Sequence, residues 1–597
     1  MLSIIGLILD KFLNLGTKGT EIIYFSKYLN VDSFKLDLAF IIDEISLGFS
    51  FFILFLAVVF YVFSLINWKY FKKEFSNYNY IIFYSSVIIS LLSVFSENLF
   101  IIWILWPFIG IFNFSNANPN IVIDKKMNFK SYFNMEGFFF SFFSVSILIF
   151  LICFKGSLSF LNFNKVNLEF IIKNKNILSF STMMIICPFF YRIFLSPFNH
   201  WNSGSKKLEK FRFGFINDIL TSIVFLSLLL RLNPIFIFLP YLYLFLQIFG
   251  LFTVIVTSVF LIIEKKGPKT LLLLNSFFWG WAIFSMGLGF IGSSLYFLLG
   301  YLLLKNLLLM IDWEITYLKN KENNLKLGFL KGLFILTILL IAGFPGGSTF
   351  FFNPDLFWKI SSSNVGPFKG YFIFNLFWSL FIISIFGFII NSFDKKDKIA
   401  SLVLDFPKNT LKLKIRNYIF YFILYGIVGL YFYKGLLLKS KFDMLTKFSV
   451  TFLSEQFIHR QDFIEGTKFY FYASFLAIFL LVSWAGYYIY SNPNKKMIDS
   501  YFKLIYIRKR IISFFGLNSI ISKILRPAVL TVSSVIKYSY KTIFLKLILK
   551  TPFKVSYQIG TYFNIKKSES LIDSLILAFL GIIIFLYFIF SKINNLH

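Results

Sequence analysis

The sequence predicts an all-α, polytopic membrane protein, and three observations carry that prediction. Of its 597 residues, 58% are hydrophobic and only 15% charged, with a mean hydropathy of +0.75; soluble domains run near half apolar and about a quarter charged. Apolar runs of about twenty residues recur along the chain, each long enough to cross a bilayer as a helix, and roughly fourteen such spans can be drawn. The runs are continuous rather than alternating. This selects helices over barrel strands, the other structure that satisfies its backbone in lipid.

Composition also excludes functions. The net charge of +31 would suggest nucleic acid in a soluble protein. Here the lysines gather in loops and in one long C-terminal segment, where anionic headgroups and the positive-inside tendency explain them. No nucleic-acid partner is expected. Cys153 and Cys187 both lie in apolar runs, so no disulfide framework or thiolate site follows. Three histidines, His200, His459 and His597, make no metal cluster. No phosphate-binding glycine loop or dinucleotide fingerprint is present, and no cofactor is expected on this chain. The 88 Phe and 32 Tyr against 14 Pro, with abundant Ile, Asn and Lys, suggest a very AT-rich gene, as in an organelle or a low-GC bacterium. The N-terminus has neither a basic leader nor a small-residue cleavage site, so no cleavable signal peptide is expected.

Taken in order, residues 1–44 are a mixed N-terminal segment, and the bundle occupies 45–490. Its first span is Ile45–Asn67. Tyr80–Gly110 reads as two helices divided near Ser96-Glu97-Asn98, and Gly137–Phe154 is the next. Thr182–Arg231 is broken at Ser196-Pro197, because a proline among polar neighbours reads as a helix end. Such a break is either an ordinary loop or the hinge of a discontinuous helix lining a cavity. Further runs are Pro240–Ile263, Leu271–Phe290, Ser294–Ile311 and Phe329–Phe344, the last closed by a second breaker, Gly343-Phe344-Pro345-Gly346. Spans at Tyr371–Ile390, Tyr418–Tyr433 and Phe469–Tyr490 complete the bundle. Trp103, Trp106, Trp279 and Trp281 read as interface or packing aromatics.

Residues 491–568 differ. Lys537, Lys541, Lys546, Lys550 and Lys554 recur in steps of four or five among apolar residues, which is the pattern of an amphipathic helix lying along a membrane surface. From 493 to 568 it would reach about 110 Å. A C-terminal anchor helix, 569–597, returns the chain to the membrane.

The most informative single residue is Lys305, inside the apolar run Leu295–Ile311. An ammonium at membrane depth costs a few kcal/mol on the lenient scales and marks ion or proton routes. Alternatively its stem snorkels toward Asp312, about 10 Å further along. Both readings stay open from this run alone.

The plan of span, long arm and anchor, with the order of local motifs from Asp43 onward, resembles subunit 5 of NADH:ubiquinone oxidoreductase (respiratory complex I), an antiporter-like subunit. Ser96-Glu97-Asn98-Leu99 to Trp106 is similar to a family segment whose closing glutamate falls on Pro107. Lys130 to Gly137 resembles another, whose aspartate falls on Phe138, with Glu136 nearby. Arg192 to Trp201 is similar to the first broken helix, with Arg192 at its channel lysine. In Phe215–Pro234 a family histidine falls on Asn217, beside Asp218, and Leu228-Leu229-Leu230-Arg231 follows the pattern. Lys269 takes a second lysine position in Glu264–Gly289. Phe297 and Tyr301 replace two histidines ahead of a retained Lys305. Ala342-Gly343-Phe344-Pro345 to Asp355 is similar to the second broken helix, whose lysine falls on Pro354 while Asp355 matches.

The resemblance implies a proton path through Lys305, Arg192, Lys269, Asp355 and Asp218. Lysine suits such a path because burial favours its neutral form and a nearby anion restores the charged one. Arg192 would be a fixed cation. Blander readings stand beside these: Lys269 as an interfacial charge after Gly267-Pro268, and Asp355 as a helix cap. The resemblance further implies partnership with other membrane-arm subunits and lipids, an arm that clamps neighbouring subunits, and location in the mitochondrial inner membrane or a bacterial plasma membrane. The redox groups (FMN, iron–sulfur clusters and quinone) would sit on other subunits. Two alternatives remain: a scaffold subunit that no longer pumps, and a free-standing cation/proton antiporter.

Overall fold

A computed structural model describes residues 21–31, 34–66, 77–117, 126–154, 158–164, 168–193, 195, 214–236, 238–263, 267–319 and 324–344, with the short pieces 376–385, 389, 421, 423–426 and 476–485. The predicted arm 491–568, the anchor 569–597, Asp355 and the segment after each proline break lie outside the described residues.

The N-terminal segment, left without regular structure by its composition, contains a hairpin. Strand β1 (Glu21–Val31) pairs antiparallel with β2 (Phe34–Ile42), from Glu21 opposite Ile42 to Val31 opposite Phe34, with the register shifting between Tyr24 and Ser26 and again between Lys27 and Leu29. The pattern Phe34, Leu36, Leu38, Phe40 against Lys35, Asp37 and Ala39 has the two-residue period of a strand. Beyond it the chain is helical: α1 (Glu44–Ile66), α2 (Asn77–Phe95), α3 (Leu99–Ala117), α4 (Lys126–Cys153), the short α5 (Phe160–Asn164) and α6 (Leu168–Lys173), then α7 (Lys175–Arg192), α8 (Gly214–Phe236), α9 (Pro240–Ile263), α10 (Gly267–Gly287), α11 (Ile291–Lys319) and α12 (Asn324–Ala342). Among the described residues four helices are long and apolar enough to cross a membrane, within α1, α8, α9 and α10. The chain is a multi-pass helical membrane protein.

The end of the bundle beside the hairpin is pinned by local chemistry. Asp43 caps α1: its Oδ1 accepts from Ser46 N at 2.8 Å while Ser46 Oγ accepts from Asp43 N at 2.9 Å. This reciprocal capping satisfies donors that the first turn cannot. Arg231, near the end of α8, donates through Nη2 to Asp43 at 3.2 Å and to the Val94 carbonyl at 3.0 Å. A cation is thus placed on the C-terminal carbonyls of α2, where the helix dipole favours it. The split between α2 and α3 falls at Ser96-Glu97-Asn98 as expected. Asn98 caps α3 by accepting from Ile101 N at 3.0 Å, and Glu97, buried, bonds Ser159.

α8 is central, with 94% of its apolar window buried, whereas 44% of the α9 window is buried. The α9–α10 contact is built on small residues. A Cβ on Gly280 would clash with Thr253 Oγ1 and lie 3.0 Å from Val254 Cγ2. Gln247 Nε2 also donates to the Gly287 carbonyl at 2.6 Å. Close approach through glycine is how membrane helices gain contact without a hydrophobic driving force between them. Trp106, Trp279 and Trp281 are fully buried, so these three are packing residues.

Several boundaries differ from expectation, that of α4 among them, which begins at Lys126 rather than at Gly137. α7 begins at Lys175 rather than near 182, and α11 runs on to Lys319 rather than stopping at Ile311. α7 ends at Arg192 and α12 at Ala342, where Gly343 adopts φ 100°, the left-handed conformation that glycine tolerates as a helix stop. Both stops precede the predicted breakers.

Overpacking a close helix contact costs about 1–3 kcal/mol. Gly280→Val should therefore lower the thermal unfolding temperature of the detergent-solubilised protein. Gly332→Ala, whose Cβ meets nothing within 4 Å, should leave it unchanged.

Candidate functional site

Lys305 is the middle residue of the 29-residue α11, about 21 Å from either end. It is 3% exposed, and its Nζ donates to Asn275 Oδ1 on α10 at 2.9 Å. The snorkelling reading therefore fails: Asp312 is inside the same helix, and the ammonium points to a neighbouring helix rather than along its own.

Asn275 is the residue that composition did not single out. Its amide is used on both sides, Oδ1 accepting from Lys305 and Nδ2 donating to the Ile193 carbonyl at 3.0 Å. The pairing sets the amide orientation, because an ammonium only donates and a carbonyl only accepts. Ile193 is the residue that follows α7, one position beyond Arg192. α10 thereby joins the two expected site residues, Lys305 and Arg192.

Arg192 occupies the last turn of α7 and is buried, as is Glu136 on α4. Its Nε donates to Glu136 Oε1 at 2.8 Å, its Nη2 bonds the same oxygen, and Nη2 also donates to the Trp106 carbonyl at 2.6 Å. The guanidinium carbon stands 3.4 Å over the Trp106 ring centroid. Three attractions thus converge on a desolvated cation: charge, carbonyl dipole and ring face. Pro107 follows Trp106 inside α3, and the acid that meets Arg192 comes from α4 as Glu136. Gly110 makes the room, since a Cβ there would come within 2.7 Å of Arg192 Nη2 and 2.9 Å of Glu136 Oε1. In the sequence Glu136 stands just ahead of the expected span Gly137–Phe154, and nothing there points to Arg192 as its partner.

The side of Lys305 toward Ile291 is apolar. Phe297 and Tyr301, eight and four residues earlier on α11, are both buried. Tyr301 stacks on Phe278 with centroids 4.2 Å apart and planes 7° apart, and Phe297 lies 5.3 Å from the same ring. Phe381 and Trp378 close the cluster.

Of the other expected residues, Lys269 falls in the first turn of α10, about 9 Å along the axis from Asn275. Asp218 falls in the second turn of α8. Asp355 lies outside the described residues. Chemically, Lys305 can exchange a proton, whereas Arg192 cannot practically do so. The connection between them, through a backbone carbonyl and an amide, carries polarity and position rather than a proton from the guanidinium.

The sequence matches no protein-family model and no curated protein. Solved structures share the fold. A chain of the Mrp complex from Dietzia sp. DQ12-45-1b superposes with TM-score 0.54 at 11% identity, over 87% of this chain and 57% of that one. This chain therefore spans little more than half of that relative's length. A chain of the membrane-bound sulfane sulfur reductase, an archaeal respiratory membrane complex, gives 0.54 at 13% identity over 74% and 90%. A chain of respiratory complex I from Thermus thermophilus gives 0.48 at 13% identity over 71% and 90%.

Glu136→Gln would leave the Arg192 cation buried without its counter-charge, at a cost of about 3–5 kcal/mol. Thermal unfolding in detergent should show that loss. The paired change Glu136→Leu with Arg192→Met should recover most of it, because an ion pair exchanged for apolar packing is often near neutral.

Proposed function

We propose that this chain is an antiporter-like, proton-translocating subunit of a respiratory membrane complex of the complex I type, in the mitochondrial inner membrane. The observation that carries the reading is the Lys305 ammonium, buried at the midpoint of a membrane-length helix and bonded by Asn275, whose amide also holds the end of α7 beside Arg192. Buried intramembrane charge is costly and marks a path or a switch. Lys305 is the group that changes charge. The Arg192–Glu136 pair sets a fixed field next to it, and the aromatic stack toward Ile291 keeps that side dry. The shared fold with chains of the Mrp complex and the sulfane sulfur reductase supports the same reading. Redox chemistry belongs to other subunits, and electron transfer there is coupled to proton movement here. Asp218, Lys269 and Asp355 extend the path at its two ends.

Residues 491–568 act as a lateral arm that clamps neighbouring antiporter-like subunits of the membrane arm, with 569–597 as its anchor. This part of the proposal rests on the lysine periodicity.

A second reading, a scaffold that no longer pumps, is favoured by Arg192 and by the rings at Phe297 and Tyr301, none of which switches charge readily near neutral pH. Lys305→Leu in the complex, reconstituted in vesicles, separates the two. Loss of proton translocation per NADH oxidised supports the first reading. An unchanged ratio establishes the scaffold. For the arm, truncation after Tyr490 should leave the membrane arm unassembled or missing its distal part, seen by native electrophoresis; normal assembly would refute the clamp.

A further inference from the structure

The charged side chains of α11 other than Lys305 all lie beyond it in one direction. Toward Ile291 lies the ring stack on Phe278. Toward Lys319 come Asn306, Asp312 and Glu314. Glu314 is 7% exposed, nine residues past Lys305 and about 13 Å along the axis. Its Oε2 accepts from the Tyr421 hydroxyl at 2.6 Å, and Tyr421 is fully buried. The connection between α11 and α12 covers only 320–323, which makes the two helices antiparallel neighbours. Glu314 lies five residues before the end of α11 and Lys331 seven residues after the start of α12, so they stand at nearly the same level. Lys331 is 8% exposed. From the same stretch as Tyr421, the Tyr425 hydroxyl donates to the Leu333 carbonyl of α12 at 3.1 Å. A buried acid, a buried ammonium and two phenols therefore share one level of the bundle, apart from the Arg192–Lys305 group.

We infer that Glu314 is a proton-carrying station of this chain, placed between Lys305 and the membrane face at which α11 ends and α12 begins, with Tyr421 as its positioning residue. The inference rests on the translocation reading above. The step moves a proton alone. The carboxylate takes H⁺ from the Lys305 side and releases it to the surface side, or the reverse, and no electron changes place. The Tyr421 O–H continues to donate to Oε2 throughout and is not consumed. Glu314 suits the role because carboxylate and carboxylic acid both accept that bond. A charge deep in a protein membrane interior is otherwise expensive to keep.

Glu314→Gln distinguishes a station from a mere pin, because the glutamine carbonyl still accepts from Tyr421 while the amide cannot take up and release a proton. The native complex bearing Glu314→Gln, Glu314→Asp, Tyr421→Phe or Lys305→Leu is reconstituted in phospholipid vesicles, and proton uptake is read against turnover. Glu314→Gln should slow coupled proton uptake by at least about tenfold, as expected on removing a placed proton carrier. Glu314→Asp should restore most of it, and Tyr421→Phe should fall between. Wild-type coupling in Glu314→Gln, with Lys305→Leu impaired, overturns the Glu314 station and leaves the translocation reading standing. Wild-type coupling in Lys305→Leu overturns that reading itself. Should Glu314→Gln fail to assemble, Tyr421→Phe decides: a several-fold loss supports the station, and an unchanged ratio overturns it.

Discussion

An ammonium at the centre of a bilayer-length helix must find its oxygen inside the protein. That requirement organises the described part of this chain. A charge buried there without a partner costs several kcal/mol. Lys305 finds the Asn275 carbonyl oxygen, and one partner recruits the next. An asparagine turned to accept from a lysine must give its amide hydrogens elsewhere, and Asn275 gives one to the Ile193 carbonyl. This holds the end of α7 against α10. Arg192, one residue back, is thereby committed to the interior and needs Glu136, the Trp106 carbonyl and the Trp106 ring. The Arg192–Glu136 contact in turn needs Gly110 to be a glycine. Four helices, α3, α4, α7 and α10, are placed by consequences of one buried charge on a fifth.

The same chain of contacts separates charges that stay from charges that move. The guanidinium of Arg192 is pinned from several directions by Glu136 and Trp106. Lys305 is held by a neutral amide, and in the proposed mechanism it is the group free to switch. The stack of Phe278, Phe297 and Tyr301 on one side, and Asn306, Asp312 and Glu314 on the other, give Lys305 a polar side and an apolar side along its own helix. Arg231 is a contrasting case. It also is buried and paired with an acid, but it lies at the hairpin end of the bundle, joining the cap of α1 to the last carbonyls of α2, and its work is structural.

Much of this was legible in the residues. Pro240–Ile263 is a helix with the expected bounds, and the division at Ser96-Glu97-Asn98 is visible because asparagine before an apolar run is a helix cap. What misled was charge. Asp312 and Glu314 look like the end of a membrane run, which limits the expected span to Ser294–Ile311. The helix continues because Glu314 meets Tyr421, more than a hundred positions away. Arg192 shows no acid partner in its own stretch, and the acid that meets it, Glu136, comes from α4. Asn275 attracted no notice, since one asparagine in an apolar helix has no periodicity to reveal it. The hairpin at 21–42 was missed because two-residue alternation in a short segment carries little weight beside the long runs that follow.

Sequence by itself determined the solvent and the class: continuous apolar runs with so few charges can only be helices in a bilayer, and the rarity of the charges marks Lys305 as costly to keep. Tertiary structure alone decided which groups answer those charges. Hydrophobic length and period are properties of a contiguous stretch and can be read from it. Partners such as Asn275 for Lys305, Glu136 for Arg192 and Tyr421 for Glu314 lie 30, 56 and 107 positions apart. Only the packing of whole helices brings them within hydrogen-bond reach.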